Sequence, residues 1–325
     1  MSYFKVLTTI YLHIAITFAM QSFNIPPYCH DKSLWPEVGT IVRGKGPLRV
    51  AAPDWPKEWP KTKLLVDTKH KLPARIPTYI IHMPGKRNKA SVESLIHPAF
   101  INIIHAVIPG KQAKNSLEAV ILSHRKAIQI AYDRGDEVAL VLEDDAEPVL
   151  YPFWHINLEQ YVKQMNLYYR SNIENWSTIQ LGTTKVDFIH KDENKAIPIY
   201  PNPPKNKQTA QGTQWGAFAY LISRIGMEQV LKRDLHFIKT HYQSWARTAD
   251  DALLGFTSFN MLKNRGRPGQ FVAHPPLFSV NLDQETLVHD DGSGQSHWRI
   301  AAAGKCTALY EAIYLHFNYL KQIFQ

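Results

Sequence analysis

The chain has 325 residues, 45% hydrophobic and 20% charged, an ordinary globular composition long enough for one large domain or two small ones. Its only cysteines, Cys29 and Cys306, are far apart, which excludes a zinc ribbon or a redox Cys-x-x-Cys pair and leaves a disulfide and two independent thiols both open. A net charge of +9 favours anionic partners, but no recognisable nucleic-acid module is present, so nucleotides, phosphorylated substrates or anionic membranes are expected rather than nucleic acid.

In chain order, residues 1–23 read as a targeting segment. Behind Lys5, the run from Val6 to Met20 carries no formal charge and has the length of a short membrane anchor or of a signal-peptide core. A signal anchor and a cleaved signal peptide are both expected readings, ahead of a buried helix. Either of the first two places the rest of the chain in the secretory lumen, Golgi or endoplasmic reticulum, and the anchor makes it a single-pass type II membrane protein. The sequon at Asn175-Trp176-Ser177 fits that compartment.

Residues 24–76 read as a stem. Pro26, Pro27, Pro36, Pro47, Pro53, Pro56, Pro60 and Pro73 block long helices, while Trp35, Trp55 and Trp59 imply packing on the domain that follows. From residue 77 the texture alternates. Strands are expected at Thr78 to Met83 and at Phe100 to Val107. Between them come a turn over Pro84 to Arg87 and a short helix. A helix follows from Ser116 to Tyr132, with Ser116 as its cap. The next strand begins at Glu137, and another spans Ser177 to Leu181 with a stop at Gly182. A long polar loop fills 183–213. Then come a strand ending at Ser223 and a helix from Arg224 to Leu231. Residues 301–325 carry Leu309, Ile313, Phe317, Leu320 and Ile323 at helical spacing, a packing face. The alternation predicts an α/β fold: a Rossmann-like, mostly parallel sheet with helices on both faces, whose ligands bind beyond the carboxyl ends of the strands.

At one such end an apolar strand, Val138 to Leu142, runs into Glu143-Asp144-Asp145. Two unit charges about 4 Å apart repel by roughly 4 kcal/mol at an effective dielectric near 20. Three acids there call for a counter-ion, and a divalent cation shared with a ligand's phosphates suits them better than a solvated turn. If the strand persists, Glu143 and Asp145 share one face and Asp144 takes the other.

Val141-Leu-Glu-Asp-Asp-Ala, preceded by Leu122-Ser123-His124 on a helix, resembles glycosyltransferase family 25. So do Tyr79-Ile-Ile with Arg87 after it, and Ala219-Tyr220-Leu-Ile-Ser223-Arg-Ile-Gly226. That family includes bacterial lipooligosaccharide galactosyltransferases and animal collagen galactosyltransferases. The resemblance spans roughly residues 77–300 and implies a single GT-A-like catalytic domain. It implies Mn²⁺ or another divalent cation, a UDP-sugar donor and a glycan or glycoprotein acceptor.

Carried over residue by residue, Asp145 resembles the direct metal ligand. Glu143 or Asp144 is then the second ligand or the ribose contact. Arg87 itself reads equally as a contact of the nucleotide or diphosphate and as a solvated turn arginine. His289, in Leu287-Val288-His289-Asp290-Asp291-Gly292, looks like the last metal ligand of the related transferase domain of lysyl hydroxylases. Asp251 or Asp250 resembles the acceptor's general base. Two departures stand out: His82-Met83-Pro84-Gly85 replaces an Asn-Leu-Asp-Arg-like continuation, and the 183–213 insert is expected to reshape the acceptor side. His124 reads as a core-edge histidine on an apolar face, and Trp215 and Tyr220 as core aromatics or sugar-stacking platforms. Two other readings remain. One is a metal-dependent phosphoesterase or nuclease, drawing also on Asp187, Asp250, Asp251 and Asp290. The other is a non-catalytic carbohydrate-binding relative.

Overall fold

A computed structural model of the chain describes residues 20–23, 25–30, 40–42, 47–49, 64–67, 72–154, 156–171, 176–182, 199–201, 216–233, 269–273 and 276–283, together with 301–302, 304–306, 308–309 and 312–313. Thirteen strands are present among them: β1 (Met20–Phe23), β2 (Thr40–Val42), β3 (Pro47–Arg49), β4 (Leu64–Asp67), β5 (Thr78–His82), β6 (Ile101–His105), β7 (Val138–Glu143), β8 (Ala146–Glu147), β9 (Trp176–Gln180), β10 (Ile199–Pro201), β11 (Ala219–Ser223), β12 (Gly269–Ala273) and β13 (Ser279–Val280). The α-helices are α1 (Ser116–Asp133), α2 (Leu158–Ser171) and α3 (Arg224–Leu231).

Seven strands form the central sheet in the order β10-β12-β9-β11-β7-β5-β6. β5 runs parallel to β6 and β7, and β12 runs parallel to β9. β11 enters antiparallel between β7 and β9, and β10 is antiparallel to β12 at the edge. The α/β character is as expected, but the sheet is mixed rather than mostly parallel in its pairings. Strand direction leaves no mark on a run buried on both faces, so apolar periodicity does not reveal it. β10 lies inside the segment expected to be a loop; the rest of 183–213 is outside the described residues.

Both faces of the sheet are covered. Tyr79, Ile81, Ala139, Val141, Tyr220 and Ile222 pack with α1 and α3 on one side. Ile80, Leu140, Leu142, Ile179 and Leu221 pack on the other with Leu158, Tyr161 and Met165 of α2. The α1 cap is Asn115 rather than Ser116: Glu118 N–H donates to its Oδ1 at 2.8 Å, and Ser116 is already helical. The short helix expected after Arg87 is instead a turn, with a 3-10 helix at Pro98–Phe100.

At the start of α3, Ser223 caps the helix by accepting from Gly226 N–H and donates its own proton to Trp176 O at 2.7 Å. Gly226 lies so close to β9 that a Cβ there would sit inside the van der Waals surface of the Ser177 carbonyl oxygen.

Cys29 and Cys306 form a disulfide across 277 positions of sequence. It fastens residues 25–30 to the described helical residues of 301–313, where Ala308, Leu309, Ala312 and Ile313 bury against Leu150 and Phe153. Beside it, the nearly buried Lys305 donates to Glu147 Oε2 at 2.9 Å. Phe317, Leu320 and Ile323 lie outside the described residues. So do residues 1–19 and the sequon residue Asn175. In the expected stem β2 pairs with β3, and β4 pairs with β1, which is the end of the expected targeting segment. No helix among the described residues is long and apolar enough to cross a membrane.

Two measurements check this architecture. Gly226→Ala should destabilise the protein by roughly 1–3 kcal/mol in denaturant unfolding, because backbone rather than a movable side chain blocks the added methyl. Thiol titration of the denatured, unreduced protein should find no free cysteine. Reduction should then lower stability by roughly 5 kcal/mol, as loop-closure entropy predicts for so long a loop.

Candidate functional site

β7 does not persist through the acids. The chain turns at Asp144 and Asp145 and enters β8, which pairs with β13. Asn281 N–H donates to Asp145 O at 2.7 Å and holds the turn. The expected alternation therefore fails. Glu143 stays on the α1 side, while Asp144 and Asp145 turn together toward Arg87.

Asp144 is almost fully enclosed by the exit of β5. Its Oδ2 accepts from Met83 N–H at 2.9 Å and lies 3.2 Å from His82 Nδ1; its Oδ1 accepts from Arg87 Nη1 at 3.1 Å. The same Nη1 donates to Asp145 Oδ2 at 2.9 Å. Gly85, with φ +76°, makes the turn that brings Arg87 back over the acids. Arg87 is thus neither a solvated turn residue nor free for a ligand. Its side chain is only 7% exposed and bridges two carboxylates.

Asp145 Oδ1 is buried without a hydrogen-bond partner. Burial first, then the charge of Glu143, push the Asp145 carboxyl up to about 7, against the pull of Arg87. For Glu143 burial acts in the same direction, but the hydrogen bond and charge of His124, with Arg87, hold it below the ordinary carboxylate range. Burial also works against the Arg87 charge, and Asp145 and Asp144 more than offset it. The three acids are therefore unequal: Asp144 is satisfied by the protein, Glu143 is charged and held through Oε1, and Asp145 has one idle oxygen.

A cleft opens beside them, at the carboxyl ends of β5, β6 and β7 and the first turns of α1. Met83, Arg87, Val107, Val120, His124 and Glu143 are among its lining. This is where ligands sit in open α/β sheets. Tyr220 does not face it as a stacking platform; it is fully buried, with its hydroxyl 3.1 Å from His124 Nδ1. Asp187, Trp215, Asp250, Asp251, His289 and Asp290 all lie outside the described residues.

The donor set bears on whether a divalent cation fits. Among the described residues, no group of three His, Cys, Asp or Glu converges as a metal site. Two carboxylates remain available, Asp145 through its orphaned Oδ1 and Glu143 through the oxygen opposite His124. A hard cation completed by phosphate oxygens needs only one or two carboxylates from the protein, so these residues fit one. Sequence reasoning missed the part of His82 and Met83, which appeared only as a departure from a family pattern. The one available signal was a histidine ending a strand beside an acidic strand end.

No family model matches the chain, and no curated protein matches it. Among solved structures, the one titled "Crystal Structure of A197 from STIV" is similar with a TM-score of 0.31 and 12% identity, covering 61% of this chain and 81% of that one.

The Asp145 carboxyl predicts a pH dependence. Between the unfolded value near about 4 and the folded value of about 7, the native state holds a proton that the unfolded chain releases. The contribution of this group to stability is therefore complete below about pH 4 and is lost as pH rises through about 7. Asp145→Asn should remove that slope, so that its melting temperature gains on the wild type between pH 4.5 and 8. A variant that instead loses ground over that range would contradict the assignment.

Proposed function

We propose that the chain is a metal-dependent glycosyltransferase of GT-A-like fold. In this reading it transfers a hexose, galactose from UDP-galactose, to a hydroxyl of a glycan or glycoprotein acceptor, with inversion at the anomeric carbon. The observation that carries the reading is the acidic tip of β7: Glu143 and Asp144 line the strand-end cleft, and Asp145 next to them keeps a buried carboxylate oxygen unpaired. Further support is that the fragments resembling glycosyltransferase family 25 converge there. Arg87 bonds Asp144 and Asp145, His124 meets Glu143, and Tyr220 meets His124.

Asp145 and Glu143 would hold the cation, which when bound supplies Lewis-acid neutralisation of a departing diphosphate. Arg87, held against Asp144 and Asp145, keeps a guanidinium charge at the same place, where negative charge grows as the glycosidic bond breaks. Val107 and Val120 give that side of the cleft an apolar wall. By resemblance, Asp251 or Asp250 takes the acceptor proton and His289 completes the cation's ligands. The Cys29–Cys306 disulfide supports a luminal, oxidising location.

Nucleotide release from a panel of nucleotide sugars, with and without Mn²⁺, tests the proposal. One donor, UDP-galactose, should be hydrolysed slowly in an Mn²⁺-dependent way, and Asp145→Ala should lower the rate on the order of 10²-fold or more. Phosphodiester cleavage in its place would make the protein a phosphoesterase, and no turnover of any donor would end the catalytic reading.

A further inference from the structure

His124 and Tyr220 lie on two elements other than the acidic strand, yet they form one hydrogen-bonded chain that ends on it. His124 is fully buried in α1. Its Nδ1 lies 3.1 Å from the Tyr220 hydroxyl on β11, and its Nε2 lies 3.1 Å from Glu143 Oε1 at the end of β7. The two rings are nearly parallel, 25° apart, with centroids separated by 5.8 Å. Both ring nitrogens are engaged, so His124 is not itself a ligand.

An ionised carboxylate only accepts hydrogen bonds, which puts the proton on Nε2. The buried Tyr220 hydroxyl carries a proton of its own, and Nδ1 is the acceptor it meets. A single proton order satisfies every atom: Tyr220 O–H to Nδ1, then Nε2–H to Glu143. Ser123 fixes the helix underneath, donating to Ala119 O at 2.7 Å and accepting from Val107 N–H at 2.8 Å. α1 is thereby tied to the exit of β6 at the position next to His124.

We infer that His124 is a positioning residue: braced by Tyr220, it holds one oxygen of Glu143 and leaves the other for a cation in the cleft. The inference rests on the proposed reading only in taking Glu143 as a carboxylate that meets the cation. Tyr220 sets the tautomer. Without its hydroxyl, Nδ1 competes for the proton and His124 turns a lone pair toward an anion.

The test uses the full chain and Mn²⁺ alone as probe, with free Mn²⁺ followed by electron paramagnetic resonance and each variant checked for cooperative melting. His124→Ala should weaken Mn²⁺ binding at least about tenfold, whereas His124→Gln, whose side-chain amide replaces the Nε2–H donor, should stay within about threefold of wild type. In a Glu143→Gln background, His124→Ala should cost nothing more, because the two act as a unit. Unchanged affinity in His124→Ala, or additive losses in the double variant, would overturn the inference. Should His124→Ala not fold, Tyr220→Phe removes one hydroxyl and keeps the ring. It should weaken binding about threefold, and no change would overturn the inference.

A wild-type chain that binds no Mn²⁺ removes the cation from the proposed function but leaves the chain of bonds to be read by ¹⁵N NMR of the histidine ring. The Nε2–H tautomer in wild type, turning to a mixture in Tyr220→Phe, upholds the positioning. Any other protonation pattern in wild type, or an unaltered one in the variant, overturns it.

Discussion

Three carboxylates at the end of a buried strand cannot all stay charged without compensation, and the surroundings of β7 follow from that constraint. A charge removed from water costs several kcal/mol unless it is paired and hydrogen-bonded. Each acid meets the cost differently. Asp144 takes a backbone N–H, His82 and Arg87. Glu143 takes a histidine braced from a neighbouring strand. Asp145 shares Arg87 and is left with an unpaired oxygen and a carboxyl inclined to keep its proton. One acid has become part of the frame, and the other two remain open to a ligand.

This division explains several features that look unrelated in sequence. The Pro84-Gly85 turn positions a guanidinium that spans two acids. The pairing of β8 with β13 stabilises the turn that swings Asp145 away from the face of Glu143. The antiparallel entry of β11 brings Tyr220 beside β7, opposite Val141, within reach of the helix histidine.

The elements carrying the site were largely legible in the sequence. β5, β7 and β11 are short apolar runs with sharp ends, α1 and α3 have the right spacing, and the α1 cap lies one residue from the one expected. What stayed hidden was relational. The direction of β11 leaves no trace in a segment covered on both sides. The turn at Asp144 obeys long-range pairing with β13 rather than local propensity. Arg87 looked equally suited to solvent or to a ligand because its two partners lie 57 and 58 positions away. His124 was correctly placed at the edge of the core. Its bond to Tyr220, across 96 residues, has no periodic signature.

The bond between Cys29 and Cys306 has a consequence for the order of events. During synthesis Cys29 waits for 277 further residues before its partner exists. Every strand of the central sheet, the acidic turn and the lining of the cleft are therefore made before that sulfur can meet its partner. The crosslink is a clasp whose second half is synthesised after every strand of the sheet it secures.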